Sequence, residues 1–287
     1  MCPRGNVLPR KRKSIPLPLP YNCGKTNKDG KSYTLENQHD LALEGEFPWM
    51  VALMDENDQY FGGGSLIAPD VVLTSSYVTK DKEIEQIFVR AGEWNFKNTS
   101  EPQPHVKVGI RSKVRHPGFR IASGANNAAL LFLESPLELT RHIQPICMPA
   151  ASRNFDSSRC IVSGWGKKLN SDVRYMDVLK KIEVPLVKNP VCQTIMQLLN
   201  EDDFLLDESL MCAGGELTKD SCIARGGSPL VCPLKDDPER YEQAGIGNFG
   251  FGCGMHGVLV VYTSVAKLRG WIDQQIRKNQ MENRPKM

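Results

Sequence analysis

No stretch of this chain approaches the roughly 18 consecutive apolar residues that a membrane-crossing helix needs, so no membrane span is expected. Strong charge of one sign is missing too. A net charge of +3 over 287 residues gives no signal for nucleic acid or for a membrane surface. Paired Cys-x-x-Cys ribbons are absent and the five histidines (His39, His105, His116, His142, His256) are scattered, which argues against structural zinc. Neither a metal nor a cofactor is expected. The opening "MCPRGNVLPRKRK" lacks the charged start, apolar core and small-residue cleavage site of a secretory leader. Either a leader is missing from this sequence or the chain is a piece that begins inside a longer protein, and the odd cysteine, Cys2, supports the second reading.

What is present is an ordinary globular composition, 40% hydrophobic and 24% charged, long enough for one large all-β domain or two smaller lobes. Nine cysteines without zinc spacing read as a disulfide framework, hence an oxidising, extracellular setting. Residues 1–40 read as a solvated linker, with prolines at 16, 18 and 20 and the basic run Arg10 to Lys13. From "GEFPWMVALMD" onward short apolar runs alternate with Gly, Pro, Asn and Asp, as in Met50–Met54, Ser65–Ile67, Val71–Leu73, Ile87–Val89 and Val106–Ile110. The same pattern continues at Ala128–Leu133, Cys160–Ser163, Leu230–Cys232 and Val258–Tyr262. Many short strands with turn signals between them mean a β-sandwich or barrel. In "SVAKLRGWIDQQIRKN" Val265, Leu268, Trp271, Ile272, Gln275 and Ile276 share one face of a C-terminal helix.

Eight motifs, in order, give this pattern a family likeness: "GEFPWMVAL", "GGGSLIAPDVVLTSS", "NNAALLFLESPLEL", "HIQPICMP", "CIVSGWG", "MCAGG", "DSCIARGGSPLVC" and "VYTSV". Residues 45 to about 276 resemble the chymotrypsin- and trypsin-like serine proteases. The resemblance implies an all-β domain over 41–276, built of two six-stranded antiparallel β-barrels with a C-terminal α-helix, followed by a polar tail over 277–287. It implies disulfides Cys23 with Cys147, Cys160 with Cys232, Cys192 with Cys212, and Cys222 with Cys253. The family's bridge beside its catalytic histidine is absent, and Gly62 and Val78 stand at its two positions.

Acyl transfer in this family needs a hydroxyl nucleophile, an imidazole base and an orienting carboxylate. By the resemblance those positions hold Gly226, Tyr77 and Asn127. Glycine has no nucleophile, and a phenol with a reference pKa near 10 is a poor base at neutral pH. No catalytic residue is expected. Ala224 replaces the glycine whose N–H serves the oxyanion hole, and Arg225 replaces the aspartate that receives the new amine after activation cleavage. No Arg-Ile-Val-Gly-Gly type activation site is visible in "NQHDLALEGEFPW".

Asp220 matches the specificity aspartate of trypsin-like members and Gly250 an open wall, but Asn248, Phe249 and Val260 depart from the pattern. An obstructed pocket follows, in which Arg225 turns inward to pair with Asp220. Tyr77 is expected to fill the cleft with its hydroxyl bonded locally. Asn127 is expected to bond backbone near a strand start. The tryptophans read as core or cleft wall, and Asn98-Thr99-Ser100 is a glycosylation sequon. "MCPRG" resembles the end of an arthropod clip module, so the family type implied is an inactive, secreted clip-domain serine protease homologue. Its implied partners are proteins, such as cascade proteases or prophenoloxidase, and not nucleic acid. A matrix or adhesion role, or residual endopeptidase activity, are the alternatives.

Overall fold

The computed structural model describes residues 23–28, 40–97, 101–166, 177–199, 204–216, 226–250 and 259–283. Twelve strands form two closed antiparallel barrels. The first contains β1 (Met50–Met54), β2 (Tyr60–Ala68), β3 (Val71–Thr74), β4 (Phe88–Ala91), β5 (Val106–Arg115) and β6 (Ala129–Leu133), closed in the order β1-β2-β3-β6-β5-β4. The second contains β7 (Arg159–Gly164), β8 (Lys180–Val187), β9 (Leu210–Gly214), β10 (Pro229–Pro233), β11 (Tyr241–Gly250) and β12 (Leu259–Ser264), closed as β10-β11-β12-β9-β8-β7.

In β1, β3 and β6 every residue is buried, because one face of each strand lines the barrel interior while the other is covered from outside. That is why these segments read as unbroken apolar runs. Strand β8 alternates Ile182, Val184 and Leu186 inward against exposed Glu183, the half-buried pattern of an outer wall.

One core joins the barrels: Trp49, Leu73, Leu130 and Phe132 of the first pack in the same cluster as Trp165, Val231 and Ile246 of the second. Polar contacts cross the same boundary. The Ser65 hydroxyl donates to Gln243 Oε1 at 2.6 Å, both fully buried, and the Trp165 indole donates to the Trp94 carbonyl at 3.1 Å.

The expected C-terminal helix is present, and the sequence reading leaves a second helix unnamed. Besides the C-terminal helix there is α1 (Asn189–Leu199), which buries Cys192 and Met196, while α2 (Val265–Glu282) runs past Ile276 into the residues expected as tail. Helix α2 buries Val265, Ala266, Leu268, Arg269 and Ile272. Arg111 of β5 donates to Asn279 at 2.7 Å and pairs with Asp70 at 3.1 Å, fastening the far end of α2 to the first barrel. Disulfides join Cys23 to Cys147, Cys160 to Cys232 and Cys192 to Cys212. The first holds the segment 23–28, whose Gly24 N–H donates to Pro145 and whose Gly24 carbonyl accepts from Tyr241, both at 2.8 Å.

Candidate functional site

The three positions that the motifs single out converge between the barrels. Beyond β3 the chain turns sharply: Ser76 Oγ donates to the Ala128 carbonyl at 2.6 Å, and Thr79 Oγ1 to the Ser75 and Ser76 carbonyls at 3.3 Å. This turn aims the Tyr77 N–H at Asn127 Oδ1, 2.9 Å away. Asn127, 2% exposed, then donates from Nδ2 to Asn248 Oδ1 at 2.7 Å, and Asn248 Nδ2 donates to the Gly124 carbonyl at 2.7 Å and to Thr263 Oγ1 at 3.2 Å. Thr263 Oγ1 donates back to the Asn127 carbonyl at 3.3 Å. The polarity of this chain is dictated at its start. A backbone N–H can only donate, so Asn127 must turn its oxygen to Tyr77 and its amino group to Asn248, which must answer with an oxygen. Asn127 and Asn248 thus form one device linking the first barrel to β11 and β12 of the second.

Tyr77 does not fill the cleft. Its side chain is 52% exposed, with the Lys80 ammonium 5.3 Å from the ring centroid. The reason is local: the backbone N–H is committed to Asn127, and the turn through Thr79 carries the ring outward.

At Gly226 the environment has closed over the missing side chain. An added Cβ would meet Val78 Cγ1 at 2.9 Å, shorter than real Cβ contacts. Val78 also stands 3.2 Å from where a Cβ on Gly62 would lie, so one isopropyl group stands against both Gly62 and Gly226. Gly63 N–H donates to the Gly226 carbonyl at 3.2 Å and Gly227 N–H to the Gly247 carbonyl at 2.9 Å. Gly227 has φ +89° and would place a Cβ 2.2 Å from the Gly63 carbonyl oxygen, so only glycine fits.

Phe249 is half-buried against the cluster around Cys192 and Cys212 and leans on Gly124, where a Cβ would meet its ring at 2.6 Å. Val260 pairs in register with Gly250 and packs beside the second barrel's interior. Asp220, Cys222, Ala224, Arg225, Cys253, Asn98 and Cys2 lie outside the described residues, as does the expected Asp220–Arg225 pair. Among the described residues no group of three or more His, Cys, Asp or Glu is placed to hold a metal ion, and no helix is long and apolar enough to cross a membrane.

Away from the cleft, a buried carboxyl cluster lies at the edge of the first barrel. Glu101 accepts from the Asn95 N–H at 2.9 Å, and burial, then the nearby Glu93 and Glu44 charges, push its pKa up to about 7. Glu93 is held by Arg90 at 3.2 Å and faces His105 at 3.1 Å.

Sequence reasoning names Tyr77, Asn127, Gly226 and Asn248 but does not connect them. It misses Val78 as the side chain that closes the Gly226 site, and Gly124 and Thr263 as the far anchors of the amide chain. Paired changes at two positions of one motif set are the only available signal.

The family model described as Trypsin matches residues 37–272. The chain is 40% identical over 271 residues to "Phenoloxidase-activating factor 2" of Galleria mellonella, covering 88% of each. It is 32% identical to "Inactive CLIP domain-containing serine protease A28" of Anopheles gambiae, covering 88% of this chain and 68% of that one. A third relative, "Inactive CLIP domain-containing serine protease A8" of the same mosquito, is 33% identical over 90% of this chain and 72% of its own length.

Proposed function

The chain belongs to the trypsin family, and on that premise we propose that it is a non-catalytic member that regulates an extracellular proteolytic cascade by binding. The observation that carries this reading is the closed site: Gly226 offers no hydroxyl, and Val78 occupies the space from which one would project. A peptide carbonyl brought to this seam meets no nucleophile there. Nor does it meet a base, since the Asn127 amide is engaged by the Tyr77 N–H and by Asn248, and the Tyr77 ring faces solvent.

Several observations support the regulatory part. Relatives covering most of the chain carry the names of inactive CLIP-domain proteases and of a phenoloxidase-activating factor. The three disulfides among the described residues suit secretion into an oxidising compartment. A rigid two-barrel scaffold with long connecting loops presents a binding surface whether or not it retains the reaction. The partners in this reading are cascade proteases, or prophenoloxidase as their substrate.

The test has two arms. Purified protein incubated with arginyl and lysyl chromogenic substrates gives no turnover above background, and a serine-directed phosphonate leaves it unlabelled. Added to prophenoloxidase with its activating protease, it changes the yield of active phenoloxidase in a saturable way. Turnover that tracks the protein through purification would overturn the non-catalytic reading. Phenoloxidase yield independent of added protein would remove the cascade assignment.

A further inference from the structure

A cavity of about 410 Å³ opens on the second barrel where α2 begins, and none of its lining residues belongs to the interbarrel seam. Ser264 and Lys267 from the first turn of α2 line it, with Arg153, Asn154, Asp156 and Glu208 around them. Ser264 is the residue preceding the helix, in extended conformation, yet its hydroxyl does not cap the helix. It is only 9% exposed, and among the described residues its hydroxyl has no hydrogen-bond partner. The first amides of a helix lack intrahelical acceptors, and here Val265, Ala266 and Lys267 find none elsewhere among the described residues. The first turn also has no acidic residue to serve in place of a cap.

A serine in this position ordinarily satisfies such amides itself. Left uncapped, the Ser264 hydroxyl opens onto the cavity at the positive end of an 18-residue helix. The charges around it are divided. Arg153 is committed to Glu242 at 2.5 Å, whereas Lys267 has no ion-pair partner among the described residues. On the other side, Asp156 meets only the Asn154 side-chain amide, through its own carboxylate and its backbone N–H, and Glu208 has no cation beside it among the described residues. The Ser264 N–H donates to the Ser209 carbonyl at 2.8 Å, which holds Glu208 next to the helix terminus.

From this arrangement we infer that the cavity is a binding site for a peptide bearing a carboxylate next to a basic group. The carboxylate sits on the Ser264 hydroxyl and Lys267, the two residues of the helix start that line the cavity, and the basic group lies between Asp156 and Glu208. A free polyanion fits less well, because two unpaired carboxylates share the rim with one unpaired ammonium. The site is separate from the cleft and stands or falls independently of the non-catalytic reading.

The test is an amide chemical-shift titration of the full chain with three probes: N-acetyl-Arg-Glu-amide, N-acetyl-Arg-Gln-amide and sodium sulfate. The Arg-Glu dipeptide moves the Ser264 and Lys267 amides saturably, and Arg-Gln does not. Ser264→Ala and Lys267→Gln each weaken Arg-Glu binding about tenfold, as loss of one charge-assisted hydrogen bond does. Asp156→Asn with Glu208→Gln weakens the dipeptide but leaves sulfate unchanged or stronger. First-turn amides that ignore Arg-Glu, or respond equally to Arg-Gln, would overturn the proposal. Sulfate binding tighter than the dipeptide would also overturn it, in favour of a plain anion site.

Discussion

Restoring the carboxylate, Asn127→Asp, should harm this protein. In the native chain the side chain accepts from the Tyr77 N–H and donates to Asn248 Oδ1 at 2.7 Å, at 2% exposure. An aspartate keeps the first bond and sets a carboxylate oxygen against the Asn248 oxygen. Rotating the Asn248 amide does not help, since its oxygen would then face the Gly124 carbonyl that it now donates to. One bond is lost, a buried acceptor is stranded and a charge is buried without a cation, for a combined cost of about 3 kcal/mol or more at pH 7.5. Protonation supplies the missing donor, so the folded state holds the proton of the introduced carboxyl above its unfolded pKa of about 3.9. A carboxyl raised in the folded state binds more protons there than when unfolded, so stability falls as pH rises through that window. The expected cost therefore grows from roughly 1 kcal/mol at pH 5 to ~3 kcal/mol at pH 7.5. Urea unfolding at both pH values, read as a midpoint shift at constant slope, measures it. Adding Asn248→Ser, whose hydroxyl can donate to the carboxylate, should recover ~1 kcal/mol or more as a coupling energy. A cost below about 0.5 kcal/mol at pH 7.5, or one equal at the two pH values, would refute the reasoning.

Gly226→Ser should destabilise by about 1–3 kcal/mol through overpacking against Val78, and Val78→Ala in the same chain should relieve most of that, by thermal or urea unfolding. The triple variant Tyr77→His, Asn127→Asp, Gly226→Ser should remain without turnover of arginyl or lysyl substrates, because Val78 still crowds position 226; trypsin-like activity in it would show that this crowding does not prevent the reaction. Glu101, with its carboxyl raised to about 7, should make the wild type lose stability as pH rises from about 4.5 to 7. Glu101→Gln should flatten that slope by no more than ~3 kcal/mol across the window, and an unchanged slope would place the effect on other groups.

Much of this architecture is written in short-range pattern. Strands β1, β3 and β6 are buried throughout and so appear as plain apolar runs, and the α2 face is legible because Val265, Leu268 and Ile272 recur at helical spacing. Strand β11 is not, since Gly245, Gly247 and Gly250 interrupt any apolar alternation. Helix α1 begins Asn189-Pro190, a helix-start signature, but its eleven residues give few turns of periodicity. The identities at the cleft are readable because flanking motifs fix their positions. Their coupling is not, since Asn127 and Asn248 are 121 residues apart and meet only when the barrels close on each other. Nor can the outward turn of Tyr77 be read, because it follows from a bond its backbone makes, not from the side chain.

The Val78 contact with Gly226 and Gly62 has a historical meaning. A lineage holding this arrangement faces a ratchet: a serine at 226 collides with Val78, a cysteine at 78 leaves a thiol with no mate at 62, and a cysteine at 62 also meets the valine. Each single replacement thus carries its own packing or thiol cost, and only concerted replacement avoids it. Val78 therefore ties positions 62 and 226 together, so that neither can gain a side chain while the valine stays.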